Sequence, residues 1–145
     1  MNPKDILSAL DVIEQSIKLA ELDTTAEFKV HLEMHCRGEA EVRAKQLFET
    51  MTLKQTEQRN AVFIYVAVAS RKYNILYDEG ILQTVDHEMI RKADFILLDH
   101  LRNDKLVLGV IAVIEFLIKE LSRYFPYIPC DTNEIGDEIS HVGLG

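Results

Sequence analysis

Nine apolar residues in unbroken succession, Ala61-Val62-Phe63-Ile64-Tyr65-Val66-Ala67-Val68-Ala69, follow directly on a wholly polar pentad, Thr56-Glu57-Gln58-Arg59-Asn60. A short continuous apolar run rich in β-branched and aromatic residues reads as a strand buried on both faces. Such a strand needs a sheet covered on either side. It also carries the residues just before it to one fixed rim of that sheet, and that rim is where function is expected.

The flanking segments supply the cover. Asn2, Pro3 and Asp5 read as an N-cap, a first-turn proline and a dipole-matching acid. Ile6, Leu10, Ile13, Ile17 and Ala20 then recur at helical spacing until Asp23-Thr24-Thr25 ends the helix. Phe28, Val30, Leu32 and Met34 alternate with Lys29, His31, Glu33 and His35, the period-2 pattern of a strand with one wet face, expected at a sheet edge. After Arg37-Gly38, residues Val42, Ala44, Leu47, Phe48 and Met51 fit a second helix. Strand, helix and buried strand make a βαβ unit with parallel strands and a right-handed crossover. The polar break Ser70-Arg71-Lys72 predicts a hairpin to an antiparallel strand over 73–77, stopped by Asp78-Glu79-Gly80. Two further helices follow, one from about Asp86 to Leu101 and one from about Lys105 to Tyr124. Residues 106–114 of the last are apolar all round, which indicates a central covered helix or an oligomer contact. Phe125-Pro126 stops it, and 128–145 is expected to be an irregular acidic tail.

With 145 residues and no internal repeat, a single domain over 1–145 is expected. Sixteen Lys and Arg against 24 Asp and Glu give a formal charge of −8, which disfavours nucleic acid and anionic membranes and tolerates cations. Cys36 and Cys130 are far apart without C-x-x-C spacing, so they read as reduced or buried thiols. No apolar run approaches the roughly 20 residues of a membrane span, and the first residues lack a signal-like apolar core, so a cytoplasmic protein is expected.

Parallel first and second strands, followed by a hairpin, bring three segments to one end of the sheet. Glu27 with Thr24 and Thr25, Arg59 with Asn60, and Asp78 with Glu79 and Gly80 should converge there, with Val62 near Asp78 and Asn60 near Gly80. Carboxylates from Glu27, Asp78, Glu79 and Asp23, with the Asn60 amide and the threonine hydroxyls, are hard oxygen donors suited to Ca²⁺ or Mg²⁺. Arg59 could neutralise them or clamp a phosphate or carboxylate. The plainer alternative is that Arg59 pairs with Glu27 or Asp78 and the remainder is loop solvation. The rim lies at the amino ends of the parallel strands, whereas open α/β sheets usually bind ligands at the carboxyl ends.

Four ordered stretches resemble the TPM domain family, named for a plant thylakoid-lumen protein, a photosystem-repair factor and an animal receptor-modulating protein. They are 20–30, with its AE-x-x-T-x-x-E pattern; Thr56-Glu57-Gln58-Arg59-Asn60; Asp78-Glu79-Gly80-Ile81; and Tyr124-Phe125-Pro126 followed by Asp137-Glu138-Ile139-Ser140. The chain departs from the family at Ala61, where glycine is usual, and carries Ala26 at a position of glycine or another small residue. Family members are mostly secreted or membrane-anchored, whereas neither signal nor anchor is expected here, so extracytoplasmic roles are not carried over. The resemblance implies an α/β/α sandwich and, as in several relatives, divalent-cation binding and an acid phosphatase activity. Glu27, Arg59, Asn60, Asp78 and Gly80 fall on family motif positions.

Two other constellations compete. His31, Glu33 and His35 on one strand face could hold a transition metal, or simply form a polar edge face. Asp131, Asn133, Gly136 and Asp137 echo a calcium loop, but Ile135 and Val142 stand where ligands are needed, which excludes an EF-hand. A phosphatase nucleophile is not evident, since no Cys precedes an Arg by six residues and neither D-x-D nor a P-loop occurs. The expected function is divalent-cation binding, for Ca²⁺ or Mg²⁺, with metal-assisted hydrolysis of small phosphoesters as the alternative. A phosphorylated small molecule or a protein partner accords with either reading.

Overall fold

The computed structural model describes residues 3–51, 57–128 and 139–142. Its elements run α1 (Pro3–Ala20), β1 (Glu27–Glu33), α2 (Ala40–Thr50), β2 (Ala61–Ala67), β3 (Lys72–Tyr77), α3 (Glu79–Leu82), α4 (His87–Arg102), α5 (Leu106–Leu121) and β4 (Ile139–Val142). The strands form one mixed sheet in the order β3-β2-β1-β4. β1 and β2 are parallel, with Glu27 opposite Ala61 and Glu33 opposite Ala67, and α2 is the crossover between them. β3 returns antiparallel with Val62 opposite Tyr77, one residue earlier than the expected pairing with Asp78.

Alternation along the strands divides the molecule into an α/β/α sandwich. Phe28, Val30, Leu32, Val62, Ile64, Val66, Ile75 and Tyr77 face one side and form a single core with the apolar stripes of α1, α4 and α5. Ala61, Phe63, Tyr65 and Ala67 face the other side and meet Cys36, Ala44 and Phe48 under α2. β2 is therefore buried on both faces over its whole length, as its apolar run requires. Helix α5 is apolar all round because it packs against both α1 and α4 while burying Leu106, Val110, Val113, Ile114, Leu117 and Leu121. The Asp86 carboxylate caps α4 by accepting from the Met89 backbone N–H at 3.0 Å.

Two expectations are corrected. β1 is central, since β4 pairs parallel to it with Val30 opposite Ile139, and its alternating polar face is buried instead of lying in water, with Glu33 bonded to Arg43 of α2. Within the expected irregular tail, 139–142 form that fourth strand, whose four residues are too few to announce themselves by period. Asp78-Glu79-Gly80 ends β3, as expected, and goes on to start the short helix α3, with the Asp78 side chain accepting from the Glu79 N–H at 2.8 Å. Asn2, Cys130 and the acidic residues 131–138 lie outside the described residues.

Two substitutions on α5 separate buried from exposed leucine. Leu117 is fully buried, so Leu117→Ala should cost about 2–5 kcal/mol in urea unfolding. Leu108 is 59 % exposed, and the same truncation there should stay within about 0.5 kcal/mol. Equal losses at both positions would mean that α5 is packed differently.

Candidate functional site

Arg59 enters β2 with a left-handed backbone, φ 50°, which turns its carbonyl toward α3, where it accepts the Gly80 N–H at 2.8 Å. A Cβ on Gly80 would stand 2.1 Å from the Gln58 carbonyl oxygen and 2.6 Å from that of Arg59, so only glycine permits this approach. The same contact aims the Arg59 side chain along the rim. Its Nε and Nη2 donate to the two Asp78 carboxylate oxygens at 2.8 Å each, and Nη1 lies 3.2 Å from Glu79 Oε1. The bidentate bonds to Asp78, with the charges of Asp78 and Glu79 nearby, raise the Arg59 pKa above its already high ordinary value.

The rest of the rim is tied by polar contacts between β1 and β2. Asn60, almost wholly buried, accepts the Glu27 N–H on its carbonyl at 3.3 Å, and its side-chain amide donates to the Thr25 hydroxyl at 3.4 Å. The Gln58 amide donates to the same hydroxyl at 3.3 Å. Thr24 donates to the Phe125 carbonyl and accepts from the Ala26 N–H at 3.1 Å, which anchors the chain after α5 to the start of β1. Glu27 is opposite Ala61, and Asp78 donates its N–H to the Ala61 carbonyl at 3.0 Å, so the two acids flank Ala61 across adjacent strands.

Of the residues named from the sequence, Arg59, Asp78, Glu79 and Gly80 form one contact cluster, and Thr25 and Asn60 a second beside it. Glu27 is buried and borders a cleft of about 200 Å³ with Lys18, Glu21 and Thr24. Asp23 is not brought to this rim; it lines a separate groove with Glu115 and Lys119. Among the described residues, no three His, Cys, Asp or Glu side chains converge closely enough to form a ready metal cage.

At the opposite end of β1 lies a network that the sequence reading did not anticipate. The buried Glu33 carboxylate accepts two bonds from Arg43 of α2, at 2.9 Å each, and one from the Tyr65 hydroxyl. Burial alone would raise the Glu33 pKa, but the Arg43 and Tyr65 hydrogen bonds outweigh it and hold the carboxyl below its ordinary value. Burial and the bond to Glu33 push Tyr65 the other way, keeping it a neutral donor. His31 stacks on Tyr65 at 6.0 Å, with Nε2 3.5 Å from Glu33, and among the described residues neither ring nitrogen has a hydrogen-bond partner. Burial lowers its pKa below 6.5 despite the pull of Glu33. His35, beyond the strand end, is exposed and does not join them. The signal that could have disclosed this network is Tyr65, whose hydroxyl interrupts an apolar run and, once buried, demands a partner.

The TPM domain family profile matches residues 2–120. The fold is also that of the NMR structure of BA42 protein from the psychrophilic bacterium Bizionia argentinensis, with a TM-score of 0.87 and 27 % sequence identity over 93 % of each chain. No curated protein sequence matches.

Two outcomes follow from this geometry. Gly80→Ala must push backbone aside, and should cost about 1–3 kcal/mol and shift the Arg59 and Asp78 amide signals, whereas an unchanged spectrum would refute the close approach. Because the His31 pKa is lowered on folding, the unfolded chain takes up a proton first as pH falls below 6.5, and stability should drop there. Glu33, whose pKa is depressed, adds a second loss below about 4.5. His31→Leu should flatten the upper part of the pH–stability curve and leave the lower; equal upper slopes in both proteins would show that His31 is not its source.

Proposed function

The chain belongs to the TPM domain family, and on that premise we propose that its amino-end rim binds a divalent cation, Ca²⁺ or Mg²⁺. The observation that carries this reading is the placement of two carboxylates, Glu27 and Asp78, each only 4 % exposed, on either side of Ala61 at the start of the parallel pair. With Glu79 and the Asn60 amide they make an all-oxygen donor set, the kind that Ca²⁺ and Mg²⁺ take together with water.

Arg59 limits the affinity. It already occupies one lone pair on each Asp78 oxygen, and Oδ1 also receives the Glu79 N–H, so a cation must share Oδ2 or displace the guanidinium. Glu79, with 57 % of its side chain exposed, would leave its ion pair with Arg59 to turn toward an arriving ion. Thr24, Thr25 and Gly80 hold the surrounding backbone. A site that must rearrange in this way binds modestly compared with a preformed cage.

A metal-dependent phosphatase acting on small phosphoesters is the second reading. What favours it is the Arg59 side chain, a third exposed beside the carboxylates, where it could receive phosphoryl oxygens while a bound cation supplied Lewis acidity.

Titration with CaCl₂ or MgCl₂, followed by amide NMR, should move Glu27, Asn60 and Asp78 saturably. Asp78→Asn and Glu27→Gln should each weaken binding about tenfold or more. Shifts confined to 131–138 would place the cation elsewhere. For the second reading, equal hydrolysis of a generic phosphoester by wild type and Asp78→Asn would assign the activity to another source.

A further inference from the structure

The cleft at the other end of the sheet has a different chemistry. It measures about 360 Å³ and opens where β1 hands over to α2, at the carboxyl ends of the parallel strands, the side on which open α/β sheets commonly take ligands. Glu33, His35, Cys36, Arg37, Arg43 and Gln46 are among its walls.

Its floor is organised from below. A guanidinium has five N–H donors; Arg43 gives one from Nε and one from Nη2 to Glu33 and has Tyr65 beside it, and its side chain remains 36 % exposed at the cleft, where N–H groups not committed to Glu33 can face a ligand. Glu33 cannot drift, because the Tyr65 hydroxyl holds it from the sheet side, and it therefore fixes the orientation of Arg43. The loop above is fixed as well. The Cys36 N–H donates to the Ser70 hydroxyl at 2.9 Å, and Lys72 draws the Cys36 and Gly38 carbonyls toward itself at 3.0 and 2.8 Å. Those carbonyl oxygens are thereby satisfied by a cation of β3. Arg37 and His35 add exposed donors at the mouth, against a single exposed acid, Glu39.

We infer that this carboxyl-end cleft binds a small oxyanion, a carboxylate or phosphate, received by the free edge of the Arg43 guanidinium. The Glu33–Arg43 pair is neutral as a whole, so what the cleft offers an anion is the uncommitted N–H edge of the guanidinium together with Arg37 at the mouth. The net charge of −8 opposes approach of anions from a distance, so recognition rests on local geometry and the affinity is modest. The site is independent of the cation rim, which lies at the other end of β1.

The test is an amide NMR titration of the full chain with sodium phosphate and, separately, sodium acetate, each against sodium chloride of equal ionic strength. Saturable shifts over 35–46 are expected with one or both. Shifts with phosphate alone assign the site to phosphoryl ligands, and shifts with both extend it to carboxylates. Arg43→Gln should weaken binding about tenfold. Because that change leaves Glu33 buried without its cation, the double variant Glu33→Gln/Arg43→Gln, neutral at both positions, serves if the single variant does not fold. No saturable shift with either salt, or equal binding by wild type and double variant, overturns the inference.

Discussion

Burying Glu33 beneath α2 obliges the protein to give its carboxylate partners, and the partners it receives bind three elements together. Arg43 comes from α2, Tyr65 from β2 and Glu33 itself from β1. A charge this deep, left alone, would cost several kcal/mol, so α2 cannot shift on the sheet without stranding it. Few apolar side chains do comparable work on this side of the sheet, where the core is much smaller than the one shared by α1, α4 and α5. The polar network thus ties the crossover helix to the carboxyl end of the parallel pair, whose backbone register aligns both ends of β1 and β2.

That register explains why the amino-end rim is polar without being disordered. Once Glu27 is opposite Ala61, the Asn60 carbonyl meets the Glu27 N–H and the Thr25 hydroxyl falls within reach of both Gln58 and Asn60. On the far side, the hairpin returns Asp78 to Ala61, where Arg59 closes the row. A left-handed Arg59 is a backbone state that costs on the order of 1–3 kcal/mol for most residues. The bidentate bond to Asp78 and the carbonyl contact to Gly80 offset it, and α3 could not supply the second if any residue larger than glycine stood at that position.

The sequence disclosed features whose cause is local or periodic. The nine-residue apolar run could only be satisfied between two layers, and Asp86 before an apolar stripe could only be read as a helix start. Because strand pairing is rigid, a βαβ unit followed by a hairpin also forced residues 27, 59 and 78 to one rim. The misreadings share a physical reason. Lys29, His31 and Glu33 alternate with apolar residues in the same way whether the polar face meets water or a helix that brings its own counter-charge. Periodicity reports that two faces differ, not what covers them. The partner strand β4 comes from over a hundred residues away, and four residues cannot carry a period of their own. Asp23 was grouped with the rim by proximity in sequence, but the turn after α1 points it toward α5 instead.

The two ends of the β1–β2 pair therefore differ in the side chains they gather. At the amino end, buried Glu27 and Asp78 flank Ala61, and Arg59 is committed to Asp78 and Glu79. At the carboxyl end, one buried acid is fully hydrogen-bonded and the arginine that compensates it keeps donors to spare. Both follow from the same geometry, in which parallel strands expose different backbone and loop residues at their two ends while sharing one rigid register. Moving α2 would disturb both at once, since it carries Arg43 and packs over the face on which Ala61 lies. A change confined to one rim, such as a larger residue at Gly80, acts through the Arg59 backbone and leaves the Glu33 network intact.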